Sequence, residues 1–276
     1  MEFVERMKSN RGIKIVVVEA TYQNDAYDLP SRISGVSQHI GFRVKDRIWL
    51  KENLINLAVQ RLPKDWNVMA WIDADITFLN TEWVQETLRA LELNDVLQLF
   101  QTCIQMGPDG EAVKIDHGFG YTHAQSVIVP TSAYGTAWHP GFAWAMTKSA
   151  YMQMGGLVDF AILGSGDRHM ALAWIGKVTS SHPGCVSKNY AAELLEFQKR
   201  CAGLRLGYIR GTILHHYHGK LENRQYQKRW SILTNGVYMP RLDIQKNENG
   251  LIELTKRGER FAAAISNYFV ERKEDE

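Results

Sequence analysis

Three groups of residues in this 276-residue chain have types and spacing suited to chemistry. The first is Asp73-Ala74-Asp75, which directly follows the apolar run VMAWI. A short run of that kind reads as a strand buried on both faces. In open α/β sheets, ligands bind beyond the carboxyl ends of strands. Two aspartates one residue apart at that end therefore both project into a crevice. Their hard oxygens suit Mg²⁺ or Mn²⁺, ions that bridge diphosphates. A turn whose aspartates cap backbone amides is the plainer alternative. The second group is His215-His216-Tyr217-His218-Gly219, at the end of another apolar stretch. Strand alternation puts His216 and His218 on one face and His215 on the other. Here the alternative is a histidine-rich strand end with satisfied hydrogen bonds. The third is Gly164-Ser165-Gly166-Asp167, with Asp167 where a helix N-cap belongs.

The elements that must position these groups follow from periodicity. Residues 13–22 (IKIVVVEATY) are a β-branched strand, and 39–44 suggest a short second one. Trp49–Leu62 has a helical apolar face and ends at Pro63. A helix over Thr81–Leu93 follows the paired aspartates. Val96–Met106 alternates as a strand, and Pro108-Asp109-Gly110 turns it into a hairpin returning through Glu111–Ile115. Asp116–Gln125, rich in Gly and His, is expected to be a mobile loop closing over a ligand. Phe142–Met146 is a strand, and Thr147 caps a helix that stops at Gly155-Gly156. Helices are expected at 167–174, 188–201, 223–233 and 255–270, with a strand at 207–214. Alternating strands and helices predict an α/β fold with a mostly parallel central sheet flanked by helices.

Composition narrows the possibilities. The chain is 45% hydrophobic and 22% charged, which excludes wholesale disorder. No apolar run approaches the roughly 18 residues of a membrane helix. The start, MEFVERMKSNRG, lacks a signal-peptide core. Three widely spaced cysteines, Cys103, Cys185 and Cys201, read as free thiols, so a cytoplasmic setting is expected. The net charge of +2 gives no strong nucleic-acid signature.

The segment WIDADITFLNTEW resembles the aspartate motif of GT-A glycosyltransferases, especially the family-2-like enzymes. Trp49-Leu50-Lys51-Glu52-Asn53 with Asn56-Leu57-Ala58 resembles the helix that precedes that motif. GFAWAMTKSAYMQMGG resembles the segment under the donor sugar, GSGDRHMALAW the acceptor-side glycine loop, and His216-Tyr217-His218-Gly219 the late histidine motif. These blocks occur in the family's order from about residue 13 to 229.

The resemblance implies a GT-A domain over 1–246, with a small antiparallel acceptor-side region, and a C-terminal helix and charged tail over 247–276 packed on it. GT-A domains usually open with a strand before the helix seen here as EFVERM, so the first strand is expected to be missing. The implied activity is an inverting hexosyltransferase using a nucleotide-sugar donor, most often UDP-linked, with Mn²⁺ or Mg²⁺. Asp75 would bind the metal directly. Asp73 would bind it through water or hold the ribose, and His216 would be the third ligand with His215 and His218 as its rivals. Asp167 is the candidate general base, which takes the acceptor's proton; a helix cap is its alternative. Glu19 matches the acidic position that contacts uridine, or is a loop residue at the sheet edge. Lys51 reaches the nucleotide or is solvated. Trp144 stacks under the donor sugar or lies in the core. Lys220 and Arg224 meet the diphosphate or form a plain basic helix face. The acceptor is open: a glycan, a lipid-linked sugar, a protein or a modified nucleobase. A sugar-nucleotide nucleotidyltransferase would be expected to carry a basic glycine-rich N-terminal loop, which the chain lacks. A non-catalytic binding module is the third alternative.

Overall fold

A computed structural model describes residues 2–125, 138–219, 223 and 228–272. The chain starts with α1 (Glu2–Lys8), which buries Val4 and Met7. The β-branched run becomes β1 (Ile15–Tyr22), paired in parallel with β2 (Val36–Val44). Next come α2 (Lys51–Val59) and β3 (Val68–Ile72), separated by the turn at Pro63. Residues 73–75 link β3 to β4 (Ile76–Phe78), and α3 (Trp83–Ala90) follows.

The long alternating stretch after α3 is two strands, β5 (Val96–Gln98) and β6 (Thr102–Met106), because the chain changes sheets between them. The Leu99 amide bonds the Ala143 carbonyl of one sheet, and the Gln101 amide bonds the Gly211 carbonyl of the other. Leu99 and Phe100, both buried, fill the junction. The turn at Pro108–Gly110 leads into β7 (Ala112–Gly118), as its turn residues require.

Residues 116–125 do not form the expected mobile loop. They are the end of β7 and helix α4 (Phe119–Ala124). The glycines there permit close packing rather than hinging. A Cβ on Gly118 would meet the Phe100 carbonyl oxygen at 2.7 Å, and one on Gly120 would meet that of Gly207 at 2.7 Å. Phe119 between them is fully buried.

The chain continues through β8 (Trp138–His139), β9 (Ala143–Thr147) and α5 (Lys148–Met154). Thr147 caps α5 as expected, its side chain accepting from the Ala150 amide, and Gly155 ends it in the left-handed conformation at φ 73°. Then come α6 (Gly166–Trp174), α7 (Lys188–Arg200), β10 (Leu206–Tyr208), β11 (Thr212–His215), α8 (Lys228–Asn235) and α9 (Pro240–Asp243). Strands β12 (Ile244–Lys246) and β13 (Ile252–Leu254) precede the last helix, α10 (Ala262–Glu271).

The fold is α/β, but its sheets are mixed rather than mostly parallel. Of the two larger sheets, one has the order β10-β5-β9-β3 and the other β4-β11-β6-β7-β8, while β1–β2 and β12–β13 form separate pairs. β9 runs antiparallel to both β3 and β5, and β4 antiparallel to β11, whereas β10–β5 and β11–β6 are parallel. The β6–β7 hairpin reverses the chain. β9 then fills the gap between β3 and β5 and hands over to α5, without the helical crossover that a parallel neighbour needs. Residues 250–254 dock on α2: buried Asn53 accepts from the Ile252 amide at 3.1 Å and donates to the Gly250 carbonyl at 3.1 Å.

Candidate metal centre

The ends of β3 and β11 are brought together by backbone bonding. The Asp73 amide donates to the Phe142 carbonyl at 2.7 Å, and the His216 amide donates to the Asp75 carbonyl at 2.7 Å. This leaves three side chains converging. Asp75 Oδ2 lies 2.9 Å from His218 Nε2 and 3.3 Å from His215 Nε2. The two imidazole nitrogens are 3.2 Å apart. Ligand bonds of about 2.1 Å imply ligand–ligand edges of about 3 Å, so the triangle matches one face of a cation's coordination shell. Asp75 Oδ1 is buried without a hydrogen-bond partner among the described residues. A buried carboxylate oxygen left unbonded is costly, and a cation would satisfy it. Burial by itself would raise the Asp75 pKa. The hydrogen bonds and charges of His215 and His218 outweigh it and hold the carboxyl well below its ordinary range. The group remains anionic at any working pH.

The histidine geometry differs from the expected one. Alternation stops where β11 stops, at His215. The chain then turns, with Gly219 at φ 93°, and His218 comes back beside His215. His216 points to the other side and bonds Thr77 Oγ1 at 2.8 Å. The third and second ligand positions therefore fall to His218 and His215, not His216. His215, weighed in the sequence only as a rival on the wrong face, is buried at the centre of the group.

Asp73 does not join this group. It is ion-paired with Lys51 from the first turn of α2. Burial would lower the Lys51 pKa, but the carboxylates of Asp73, Glu52 and Asp167 together raise it above the ordinary lysine value. Burial pushes Asp73 up against the pull of Lys51. Glu52, also buried, accepts from Trp49 Nε1 at 2.9 Å and has its pKa raised to about 7, first by burial and then by Asp167 against the pull of Lys51. Lys51, Glu52, Asp73 and Asp167 thus form one electrostatic cluster beside Asp75.

Asp167 is not the helix cap. Ser165 holds that position, at φ 79°, and its hydroxyl accepts from buried Arg229 Nη2 at 2.5 Å. Asp167 sits in the first turn of α6 and accepts from the Arg168 amide at 2.7 Å through Oδ1. A Cβ on Gly141 would lie 2.9 Å from Asp167 Oδ2 and 2.9 Å from His139 Cε1. A side chain at Gly141 would push these two groups aside. Beside it, His139 stacks on Phe142 at 3.9 Å, and Phe142 leans on His215. Phe142 has φ 76°, and the φ of Ser165 is also in the left-handed region, a costly conformation for either residue. Both strained residues border the cluster.

The other expected site residues have structural partners. Glu19 is inside β1, which runs on to Tyr22. Its carboxylate accepts the Asp28 and Leu29 amides at 2.6 and 3.2 Å and meets His39 at 3.1 Å, so it pins the following loop. Trp144 is a core residue: it is 1% exposed, donates to the Pro140 carbonyl at 2.8 Å and packs on Trp174. Lys220 and Arg224 lie outside the described residues. Glu52 and His139 were missed in the sequence. Glu52 adjoins Lys51 in a helix whose buried face also carries Asn53 and Asn56, and that polar inner face was the available signal.

No family model matches the chain, and no curated protein matches it. Among the described residues, no helix is long and apolar enough to cross a membrane. The three cysteines are free.

Proposed function

We propose that this chain is a metal-dependent glycosyltransferase that moves a sugar from a nucleotide-sugar donor, UDP-linked in our reading, to a hydroxyl acceptor. The observation that carries the reading is the convergence of Asp75, His215 and His218 at the carboxyl ends of two strands, with one buried Asp75 oxygen lacking a partner. A carboxylate with two imidazoles favours a transition ion over Mg²⁺, so Mn²⁺ fits better of the two ions expected. Bound there, it would neutralise charge on the leaving diphosphate.

The remaining roles belong to the chain's own side chains. Asp75 stays ionised because His215 and His218 hold it so. Lys51, fixed by Asp73, adds positive charge where the diphosphate departs. Asp167, anchored at the start of α6, takes the proton from the acceptor hydroxyl. That oxygen attacks the anomeric carbon, and the bond to the phosphate oxygen breaks with its electron pair leaving on the nucleoside diphosphate. One displacement of this kind inverts the anomeric centre.

The test is a panel of nucleotide sugars, following release of free nucleotide with Mn²⁺, with Mg²⁺ and with chelator. Release that requires Mn²⁺ supports the reading. Pyrophosphate release from a nucleoside triphosphate and a sugar phosphate would instead make the chain a nucleotidyltransferase. No turnover of any donor would contradict both.

A further inference from the structure

Residues 140–142 join β8 to β9 through a sharp reversal centred on Phe142. The Ala143 amide donates to the Gly141 carbonyl at 3.2 Å, and Phe142 between them has φ 76°. A hydrogen bond spanning two residues, with a positive φ at its centre, is the rare and strained form of γ-turn. Glycine adopts that conformation at little cost, and phenylalanine does not. Such strain persists where the surroundings over-determine it, and several bonds fix this turn. Buried Gln98 donates through Nε2 to the His139 carbonyl at 3.0 Å and to the Gly141 carbonyl at 3.2 Å. The Gly141 amide donates to His139 Nδ1 at 3.0 Å, and the Phe142 carbonyl accepts from the Asp73 amide at 2.7 Å.

Phe142 touches both halves of the metal centre, by different groups. Its carbonyl holds residue 73, at the end of β3 and two residues before Asp75. Its ring, 4% exposed, packs on His215 at the end of β11, with centroids 4.6 Å apart and planes tilted by 40°. His139 stacks flat on the same ring, with planes 10° apart. His215 Nε2 lies 3.3 Å from Asp75 Oδ2, so any rotation of the His215 ring moves that nitrogen off the triangle. Groups that orient a metal's imidazole ligands govern affinity nearly as strongly as the ligands themselves. A place in the core accounts for the burial of Phe142. It does not account for backbone strain at the one residue that braces His215 and holds Asp73.

We propose that Phe142 is a positioning residue of the metal centre: its strained turn and its ring together set Asp75 and His215 at the separation a divalent cation needs. The inference rests on the reading of Asp75, His215 and His218 as a metal centre. It does not depend on which reaction that centre serves.

Titrations of the full chain with Mn²⁺ alone, and with Co²⁺, whose visible absorption reports coordination geometry, test it. Phe142→Leu keeps apolar bulk and the strained backbone, so it stays folded, but it loses the flat ring. Phe142→Gly removes ring and strain together. Phe197→Leu, at a buried position of α7, controls for lost packing away from the centre. Phe142→Leu is expected to weaken Mn²⁺ binding about tenfold, at the lower end of the range for losing a group that orients a ligand. Phe142→Gly is expected to weaken it further, and the Co²⁺ absorption should change in both variants. Phe197→Leu should lower the melting temperature about as much as Phe142→Leu, with Mn²⁺ affinity within twofold of the wild type. Wild-type Mn²⁺ affinity and Co²⁺ absorption in Phe142→Leu, or an equal loss of affinity in Phe197→Leu, would overturn the proposal and leave the metal centre standing. No binding of either ion to the wild type would remove the metal centre itself, and the proposal with it.

Discussion

Histidines are used in two opposite ways in this molecule. His169 is fully buried between α6, α7 and the turn at Val178–Ser181. Ser181 Oγ gives its proton to the Val178 carbonyl at 2.6 Å, so it accepts from His169 Nδ1 at 2.6 Å, and His169 Nε2 accepts from the Tyr190 hydroxyl at 2.7 Å. Every polar atom of that ring is paired. Burial, aided by the charges of His182, Arg229 and Arg168, keeps its pKa far below the ordinary value, so the ring is neutral. At the ends of β3 and β11 the pattern reverses. Two ring nitrogens face each other at 3.2 Å across a carboxylate that has one oxygen unbonded. The first arrangement is complete within the protein. The second leaves a buried carboxylate oxygen without a partner among the described residues. Pairing, more than residue type, separates a histidine that holds the fold from one that holds a ligand.

The largest effect that sharpens this contrast is expected at Asp167. Asp167→Asn should lower turnover by about 10²–10⁴-fold, the range for losing a general base, with UDP–Mn²⁺ binding and melting temperature unchanged. Steady-state kinetics beside calorimetry checks it. Near-normal turnover would remove Asp167 from the chemistry.

Next comes stability. His169→Phe should cost about 3 kcal/mol, because Ser181 and Tyr190 lose their partner inside the core. His218→Ala removes a part-buried partner of Asp75 but leaves His215 in place, so it should cost only about 1 kcal/mol in metal-free protein. Denaturant unfolding of both variants measures the difference. Equal losses would erase the contrast.

Glu52 gives a pH signature of similar or smaller size. Its ordinary value is near 4.5, and the folded protein raises it to about 7. Between those values the folded state holds a proton that the unfolded chain releases, so stability falls as pH rises. The loss is at most about 3 kcal/mol. Glu52→Gln should flatten the melting temperature between pH 4.5 and 7 and be the more stable protein at pH 8. An unchanged slope in the variant would place the titration elsewhere.

The smallest effect should be at His216. Its exposed ring bonds Thr77 Oγ1, so His216→Ala should leave Mn²⁺ affinity within about twofold and stability within about 0.5 kcal/mol.

Much of this was legible in the sequence because local rules governed it. The β-branched run of β1, the Thr147 cap, the Gly155 stop and the turn at Pro108–Gly110 each depend on neighbours within a few residues. The aspartates after VMAWI were legible for the same reason. Contacts between distant segments were not. Strand alternation assigned His216 and His218 to one face, but it assumed that the strand continued, and β11 ends at His215. The sheet was expected to be mostly parallel because nothing local to residues 143–147 shows that they fill the space between β3 and β5. Gly118 and Gly120 suggested a hinge, because a glycine required for close packing looks the same in sequence as one required for motion. Trp144 and Glu19 were plausible ligand contacts until their own partners, the Pro140 carbonyl and the 28–29 amides, were in place.

The most direct test is a Mn²⁺ titration of the wild type, His218→Ala and His216→Ala in the presence of UDP, followed by calorimetry. The account predicts one Mn²⁺ per chain in the wild type and in His216→Ala, with affinity at least tenfold weaker in His218→Ala. Loss of binding in His216→Ala with His218→Ala unaffected, or no Mn²⁺ binding to the wild type, would contradict it.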